Sequence, residues 1–530
     1  MHEKFSRPIV ATEWSLEAIE PPWGDRQSIY EHIKAHIVDG QDGLAEGGDT
    51  LPDDEVRFGD NSVRWASGGL DGVVGHHGAG ESVSDAAGTA FGQLKAVLAE
   101  PTQQNFNSLY ETLTKVRAIE IADPLLECIV NDGTIDANRF DELSVWLATK
   151  AADREPVKFA LAFLGLLRGR DDYDVILSLA RHEEFTLYTS VAVTNREEHP
   201  DATLWQIAKH VDGWGRIQTV ERLASTNDPD IRGWMLREGY KNSIMNEYLA
   251  YTCATEGDLH GALCAPEIDG ALLNGAGDII QTLITGQDGP AAGIDDYDKA
   301  SETTGLYLQH IDGRATTLDH FLVLKRIEEY LADDYADWED KQSMLSIAQR
   351  LTDDDKWREM ALKNLGSDDR MTFYAATEAA RYLDIDTWDA YYRRTERGED
   401  HWWNLMQTDD PERAARIIEL AESMIPLEEV ATGPSDSPGL GPEYTYHDAL
   451  DFILQDLGRF PGMGWNLVQA GLQSPTLRNR NMAIRALDGW TQENWPDGAR
   501  EAIQNARNNE PDSNVRESLE KLLNGQPLGF

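Results

Sequence analysis

A glycine-rich segment holds the three residues best suited to do chemistry: Asp71, His76 and His77. Two imidazoles and a carboxylate this close together are suitable ligands for Zn²⁺ or Fe²⁺. His76 could instead act as a general base that Asp71 orients. Adjacent histidines point apart on a helix or a strand, which favours the alternative that they cap helix ends between glycine turns. Asp71, His76 and His77 are therefore the candidate catalytic residues, and the two histidines are the candidate metal ligands.

The chain lacks the short motifs of several common catalytic and cofactor sites. It contains no GxxxxGK[ST] phosphate loop, and no GxGxxG fingerprint follows a strand pattern. The motifs GxSxG, HExxH and CxxC are also missing. No cofactor is implied by a motif, and the 94 acidic residues make any pair of carboxylates uninformative as a catalytic signal.

Two further stretches combine aromatic and polar side chains densely enough to line a binding face. The first runs from His210 to His260 and the second from Trp388 to Trp403. Aromatic residues with arginine are typical hot spots for a protein partner or an extended ligand. The alternative is that these side chains fill a repeat core, with Arg–Glu pairs across turns. The candidate binding residues are Trp214, Arg216, Trp234, Arg237, Tyr240, Asn242, Tyr391, Arg394 and Trp402.

The charge of the chain is strongly negative: 94 Asp and Glu face 47 Lys and Arg, a formal net charge of -47. Such a chain repels itself in dilute buffer, whereas molar salt screens the repulsion. Arginine is commoner than lysine, which fits salt adaptation because a guanidinium is more weakly hydrated. The excess of acid, with no cluster of five basic residues, argues against a nucleic-acid partner.

The setting predicted by the sequence is a cytoplasm. Three cysteines, Cys128, Cys253 and Cys264, are too few for a disulfide framework, so we expect a reducing compartment. The first residues show no apolar export signal, and no apolar run is long enough to span a membrane. We therefore expect neither export nor a membrane partner.

The order of patterns along the chain predicts an all-α protein with a distinct first segment. Residues 1–82 end in the glycine-dense run 62–82, which we expect to form an ordered loop or short turns because glycine disfavours helix. Residues 83–425 repeat short segments with the helical period, which predicts a helical-repeat array. Residues 426–446 contain several prolines and predict an exposed linker before a C-terminal unit at 447–530.

One segment of the predicted array is ambiguous. Phe185–Val193 is rich in β-branched and aromatic residues and could be a strand. The same pattern also suits a buried helix, and its neighbours have the helical period. We therefore favour the helix.

Three turns resemble one another. Each is followed by an apolar residue and an arginine, namely Ile231-Arg232, Leu477-Arg478 and Val515-Arg516. The pattern resembles the HEAT repeat, whose inter-helix turn carries Asp and whose second helix starts with a Val-Arg-like pair. Ser474 stands where that Asp is usual, which is a departure from the repeat. The resemblance implies a HEAT-like α-solenoid of stacked helix pairs.

Repeat arrays expose long concave surfaces, and they usually bind other macromolecules. The leading hypothesis is therefore a non-catalytic binding or scaffold protein with a protein partner. A helical immunity or regulatory module is a related possibility that the sequence does not separate from it.

The competing hypothesis is an enzyme, either a metal-dependent hydrolase or an oxidoreductase, with its site at Asp71, His76 and His77. The run from Arg64-Trp65 to His77 resembles N-terminal segments of bacterial chains catalogued as limonene hydroxylases. The resemblance implies a hydroxylation, yet the chain shows no flavin, nicotinamide or haem motif that such a reaction needs.

Overall fold

The computed structural model of the chain describes residues 14–59, 64–77, 84–168, 172–286, 291–333 and 336–528. His76, His77 and Ser84 are described by their backbone alone. Contacts divide the chain into two compact units, Met1–Asp353 and Asp354–Phe530. Every regular element in the described ranges is a helix, and one isolated bridge joins Ser437 to Thr476. The predicted all-α class is confirmed, while the predicted boundaries at 82, 425 and 446 stay predictions.

The first unit contains nineteen α-helices in its described ranges. They are α1 Ile29–His36, α2 Asp54–Phe58, α3 Gly69–His77, α4 Ser84–Ala99, α5 Gln103–Lys115, α6 Ala118–Asn131, α7 Ala137–Lys150, α8 Arg154–Leu164, α9 Tyr173–Leu179, α10 Glu183–Arg196, α11 Asp201–His210, α12 Gly213–Arg222, α13 Pro229–Trp234, α14 Glu247–Glu256, α15 Leu259–Leu263, α16 Gly270–Thr285, α17 Ala300–Ile311, α18 Leu318–Ala332 and α19 Lys341–Thr352. A π-helical turn, Met235–Gly239, follows α13, and a 3₁₀ turn, Ile294–Asp296, precedes α17.

The second unit contains eleven α-helices in its described ranges. They are α20 Lys356–Asn364, α21 Arg370–Tyr382, α22 Trp388–Thr395, α23 Trp402–Met406, α24 Pro411–Met424, α25 Leu427–Val430, α26 Thr445–Leu457, α27 Trp465–Leu472, α28 Leu477–Trp490, α29 Ala499–Asn509 and α30 Ser513–Leu523. Two 3₁₀ turns, Pro442–Tyr444 and Gln492–Asn494, lie before α26 and after α28.

Many helices begin at an aspartate, so part of the acid excess serves as helix caps. The side chains of Asp228 and Asp410 accept hydrogen bonds from backbone N–H groups in the first turns of α13 and α24. Pro229 and Pro411 follow them at the first helical position, where the missing N–H is not needed. Both helix starts therefore combine an aspartate cap with a proline in the first turn.

The helices of the first unit contact one another in a regular alternation. Each even-numbered helix from α4 to α16 contacts the next even-numbered helix. Adjacent helices also pair, as in α7 with α8, α11 with α12 and α18 with α19. The ambiguous segment Phe185–Val193 lies within α10, so the predicted helix is confirmed.

The last helices of the second unit show the same kind of alternation. Helix α28 contacts both α26 and α30, while α27 pairs with α28 and α29 with α30. Their apolar residues form one core that includes Trp490 and Trp388. Paired helix contacts are thus present in each unit.

The glycine-rich segment was predicted to be a loop, and this prediction was wrong, because Gly69–His77 forms α3. Two glycines of this segment, Gly68 and Gly72, lie against neighbours that leave no room for a larger side chain. A Cβ atom on Gly72 would lie 2.2 Å from Cε3 of Trp214, and one on Gly68 would lie 2.7 Å from the carbonyl oxygen of Glu183. Close packing of α3 on α12 therefore outweighs the low helix propensity of glycine.

The register of the three similar turns also differs from the prediction. In each, an arginine four residues after the helix cap donates to a carbonyl oxygen six residues before it: Arg232 to Thr226 at 3.0 Å, Arg480 to Ser474 at 3.0 Å and Arg516 to Glu510 at 3.1 Å. The equivalent of Arg516 is therefore Arg480 rather than Arg478. Leu477 and Arg478 are both exposed. The predicted pair therefore lies two residues before Arg480, the arginine that makes the shared hydrogen bond.

Candidate functional site

Helix α8 is buried along its whole length, although its first turns carry three charged residues, Arg154, Glu155 and Lys158. Burying a charge is costly unless it is paired and hydrogen-bonded. Carboxylates reach α8 from α2, α3 and α10, elements that are distant in sequence. These groups form what we call the buried charge cluster: Asp53, Asp54, Asp71, Arg154, Glu155, Lys158, Glu184 and Tyr188.

Lys158 is the centre of one half of the cluster. Its Nζ atom lies 2.8 Å from Oδ2 of Asp71 and 2.7 Å from Oε1 of Glu184. Glu155, one turn earlier on α8, is 3.5 Å away. The hydroxyl of Tyr188 donates to Asp71 Oδ2 at 3.1 Å. The ammonium group is therefore enclosed by carboxylates and 1% exposed.

Arg154 is the centre of the other half. Its backbone N–H donates to Oδ2 of Asp53 at 2.9 Å, and its Nη2 atom donates to Oδ1 of Asp53 at 2.9 Å. Its guanidinium also pairs with Asp54, and its Nη1 atom lies 3.6 Å from Glu184. Glu184 thus joins the two halves, and it also accepts the backbone N–H of Gly68 at 2.9 Å.

The charges shift the pKa values within the cluster in opposite directions. Burial alone would raise the pKa of Glu184. The nearby cations Lys158 and Arg154 outweigh burial, and together they lower this pKa to about 2. For Asp71, burial outweighs the attraction of Lys158 and raises the pKa above its usual range. The structure therefore places the candidate catalytic residue Asp71 in a closed ion pair. The side chains of His76 and His77 lie outside the described residues.

A polar pocket of about 630 Å³ lies nearby, at the ends of α10, α11 and α12. Its size falls in the range of small-molecule sites. Twelve of its fifteen lining residues have polar or charged side chains; the fifteen are Asp42, Gly43, Leu44, Asp49, Arg181, Glu183, Lys209, His210, Val211, Asp212, Arg216, Lys241, Asn242, Ser243 and Asn246. The lining holds as many Lys and Arg as Asp and Glu, whereas the whole chain has twice as many Asp and Glu as Lys and Arg. We call it the basic pocket because it is basic relative to the chain as a whole.

Among the described residues, no carboxylate lies within 4.0 Å of the guanidinium of Arg181 or Arg216, and Asp42 and Glu183 act on these two groups only at longer range. Nη2 of Arg181 donates to the carbonyl oxygens of Gln41 and Gly43, and its Nε atom is buried without a hydrogen-bond partner in those ranges. Nε of Arg216 donates to the carbonyl oxygens of Ala208 and Val211. Their orientation is thus fixed by neutral acceptors, and their charge stays available to an anion.

Glu183 closes one side of the basic pocket by capping α12. Its carboxylate accepts the backbone N–H of Asp212 at 2.6 Å and that of Gly215 at 3.0 Å. Burial raises its pKa to about 7, in spite of these two donors. The side chain therefore changes its charge near neutral pH. His210, also in the lining, has its pKa lowered by burial and by Arg181.

The structure distributes the candidate residues of the first aromatic stretch over several environments. Arg216 and Asn242 line the basic pocket. Trp214 and Tyr240 are buried in the core, with the Tyr240 hydroxyl donating to Asp278 at 2.6 Å. Arg237 and Trp234 lie outside the basic pocket. Arg237 pairs with Asp269 beside a second cavity of about 410 Å³, and Trp234 packs against Trp205.

The second aromatic stretch lies mostly within the core of its unit. Trp402 is buried, and Arg394 is buried with its guanidinium 4.2 Å from the ring centre of Phe373. Tyr391 is half-buried against the edge of the same ring. Arg394 and Tyr391 are thus brought together against Phe373, while Trp402 belongs to the hydrophobic core of the unit.

Sequence reasoning missed Lys158, Arg181 and Glu183. A signal for Lys158 was present, since a single cation stands in the otherwise apolar run 156–164. Arg181 and Glu183 lie at a helix start, where charged residues are common. Their proximity to the end of α11 depends on packing.

Among the described residues, no three or more His, Cys, Asp or Glu side chains are grouped so as to hold a metal ion. No helix in those ranges is both long enough and apolar enough to cross a bilayer. The chain matches no protein-family model, no curated protein and no solved structure. The resemblances to HEAT repeats and to limonene hydroxylases therefore stay predictions.

Proposed function

We propose that this chain is a HEAT-like helical-repeat binding protein of a salt-adapted cytoplasm, and that its basic pocket holds a small oxyanion. The observation that carries the proposal is the pair Arg181 and Arg216, whose guanidinium groups are oriented by carbonyl oxygens alone. A guanidinium fork that is oriented by neutral acceptors can receive a carboxylate, sulfate or phosphate group.

The helical-repeat part of the proposal rests on two regularities. Alternate helices contact one another in both units, as stacked helix pairs require. The turns before α13, α28 and α30 share an arginine that donates to the carbonyl oxygen six residues earlier. Both features support an α-solenoid, in which successive turns line up and can build a shared pocket.

Isothermal titration with sodium sulfate in molar KCl tests the proposal, because sulfate keeps its charge throughout the neutral range. We expect saturable binding that Arg216→Gln weakens by about tenfold, the loss of one charge-assisted contact. Arg326→Gln, which alters an exposed arginine on α18, is the control and should bind normally. Arg216→Lys keeps the charge and should retain part of the affinity.

Two results would contradict this proposal. One is the absence of sulfate binding by a protein whose circular dichroism shows it to be folded. The other is binding that Arg181→Gln and Arg216→Gln both leave unchanged, since the anion would then lie elsewhere.

A second candidate function is catalysis at Asp71, and the buried charge cluster favours it. A carboxyl group with a raised pKa beside a buried lysine and a tyrosine hydroxyl is an arrangement that enzymes use for proton transfer. Elemental analysis of protein purified at high salt tests the metal-dependent version. Absence of bound metal, together with unchanged stability of His76→Ala, would remove His76 as a ligand.

A further inference from the structure

The end of the chain differs from the rest in charge and in amide content. Residues 466–530 carry eight Asp and Glu against seven Lys and Arg, although the whole chain has a net charge of -47. The same residues hold 14 of the 40 Asn and Gln in the chain. Compared with the whole chain, residues 466–530 are therefore poor in acidic side chains and rich in neutral amides.

The amides come together along a groove in the second unit. Two adjoining cavities of about 850 and 640 Å³ share the lining residues Gly498, Glu501 and Asn505. The groove passes between α27 and α29 and continues around the start of α29 to the partly buried Trp495. The amide side chains that line it are Gln469, Gln473, Gln492, Gln504, Asn505 and Asn509.

Gly433 and Pro434 line one end of the groove, and they begin an irregular segment, residues 433–439, which we call the strap. The backbone N–H of Gly433 donates to the carbonyl oxygen of Gln473 at 2.7 Å. Nη1 of Arg480 donates to the carbonyl oxygen of Ser435 at 2.9 Å, and Ser437 pairs with Thr476 as a parallel bridge. The strap is thus held beside the groove by a main-chain hydrogen bond, an arginine side chain and one isolated bridge.

We propose that the amide groove binds an extended, uncharged polypeptide segment of a partner protein. A carboxamide offers both a donor and an acceptor, which matches the N–H and C=O groups of an extended backbone. The acidic surface of the chain would repel an acidic segment and would bind a basic segment non-specifically. A neutral segment avoids both effects, which favours specific binding at the groove. Trp495 supplies an apolar contact within the second cavity.

The test is ¹⁹F NMR of the full chain labelled with 5-fluorotryptophan, in molar KCl. Trp495→Phe assigns the resonance of interest among the 15 tryptophans. The probe is a blocked peptide of about ten residues composed of Ser, Thr and Ala, roughly the length that such a groove holds. We expect a saturable shift of the Trp495 resonance, with binding weakened about three- to tenfold by Gln504→Ala or Asn505→Ala.

Asn514→Ala removes an exposed amide on α30 outside the groove and should bind the probe normally. The proposal is overturned if the peptide leaves Trp495 unshifted, or if the groove variants bind as well as Asn514→Ala. It is also overturned if a cello-oligosaccharide shifts the resonance and the peptide does not. This site is separate from the basic pocket, so sulfate binding can fail while peptide binding succeeds, and the reverse.

Discussion

Gly72 shows how a missing side chain positions a helix. Trp214 occupies the space that a Cβ atom at this position would need, so α3 can approach α12 only with glycine there. The helix in turn brings Asp71 to Lys158. A residue that does no chemistry therefore determines where a charged one lies.

We expect Gly72→Ala to lower the free energy of unfolding by about 1–3 kcal/mol, because the added methyl group overlaps the Trp214 ring. Gly75→Ala is the matched control on the same helix, where a Cβ atom meets nothing within 4 Å. It should be neutral or stabilising, by up to about 1 kcal/mol. Urea unfolding of both variants in molar salt measures the difference. Equal effects of the two variants would contradict the role of Gly72 in close packing against Trp214.

Lys158→Met should be strongly destabilising, because three buried carboxylates lose their shared cation. Breaking such a buried network costs about 3–5 kcal/mol. Lys115→Met removes an exposed lysine that pairs within α5 and should leave the free energy of unfolding almost unchanged. Thermal unfolding followed by circular dichroism compares the two. If the Lys158→Met variant is as stable as the original chain, the carboxyl groups around Lys158 must become protonated when the lysine is removed.

Sulfate binding should weaken as the pH rises from about 6.5 to 8. The raised pKa of Glu183, about 7, means that the side chain is neutral below this range and negative above it. The pKa of His210 is lowered by burial and by Arg181, so this imidazole titrates below the range and does not reverse the trend. Titration calorimetry across this range measures the effect, and Glu183→Gln should abolish the dependence. Persistence of the dependence in that variant would assign it to another group.

At the scale of helices, periodicity and capping residues predicted most elements, while contact between elements overruled two predictions. The helix Gly69–His77 was missed because its stability comes from Trp214, more than 130 residues later. The repeat register was shifted because an exposed Leu477-Arg478 pair imitates the motif. The pocket was missed for the same reason, since its lining comes from several separate turns.

The link between successive turns of the last helices provides a test at this scale. Arg480 forms two hydrogen bonds of 2.8 Å with Glu510, and both side chains are buried. We expect Arg480→Met to destabilise α28–α30 by about 3 kcal/mol or more, since Glu510 would be left unpaired. Arg485→Met, at an exposed position of α28, is the control. Hydrogen exchange with mass spectrometry should show faster exchange confined to the second unit; unchanged exchange would rule out this link.

At the scale of the whole chain, the net charge of -47 predicts that folding depends on salt. We expect the melting temperature to rise steeply with KCl concentration, and dialysis into dilute buffer to unfold the protein, because salt screens the repulsion between acidic groups. Circular dichroism across a KCl series measures this effect. Full stability in dilute buffer would contradict salt adaptation.

Arrays of stacked helices ordinarily fold in small steps, since each repeat contacts only its neighbours. The buried charge cluster of α8 changes this for the first unit. Lys158 and Arg154 find their partners at Asp53, Asp71 and Glu184, so intermediate states that lack α2, α3 or α10 must hold unpaired charges away from water. Unfolding of this region should therefore be cooperative across more than 130 residues, with one transition where a simple array would show several.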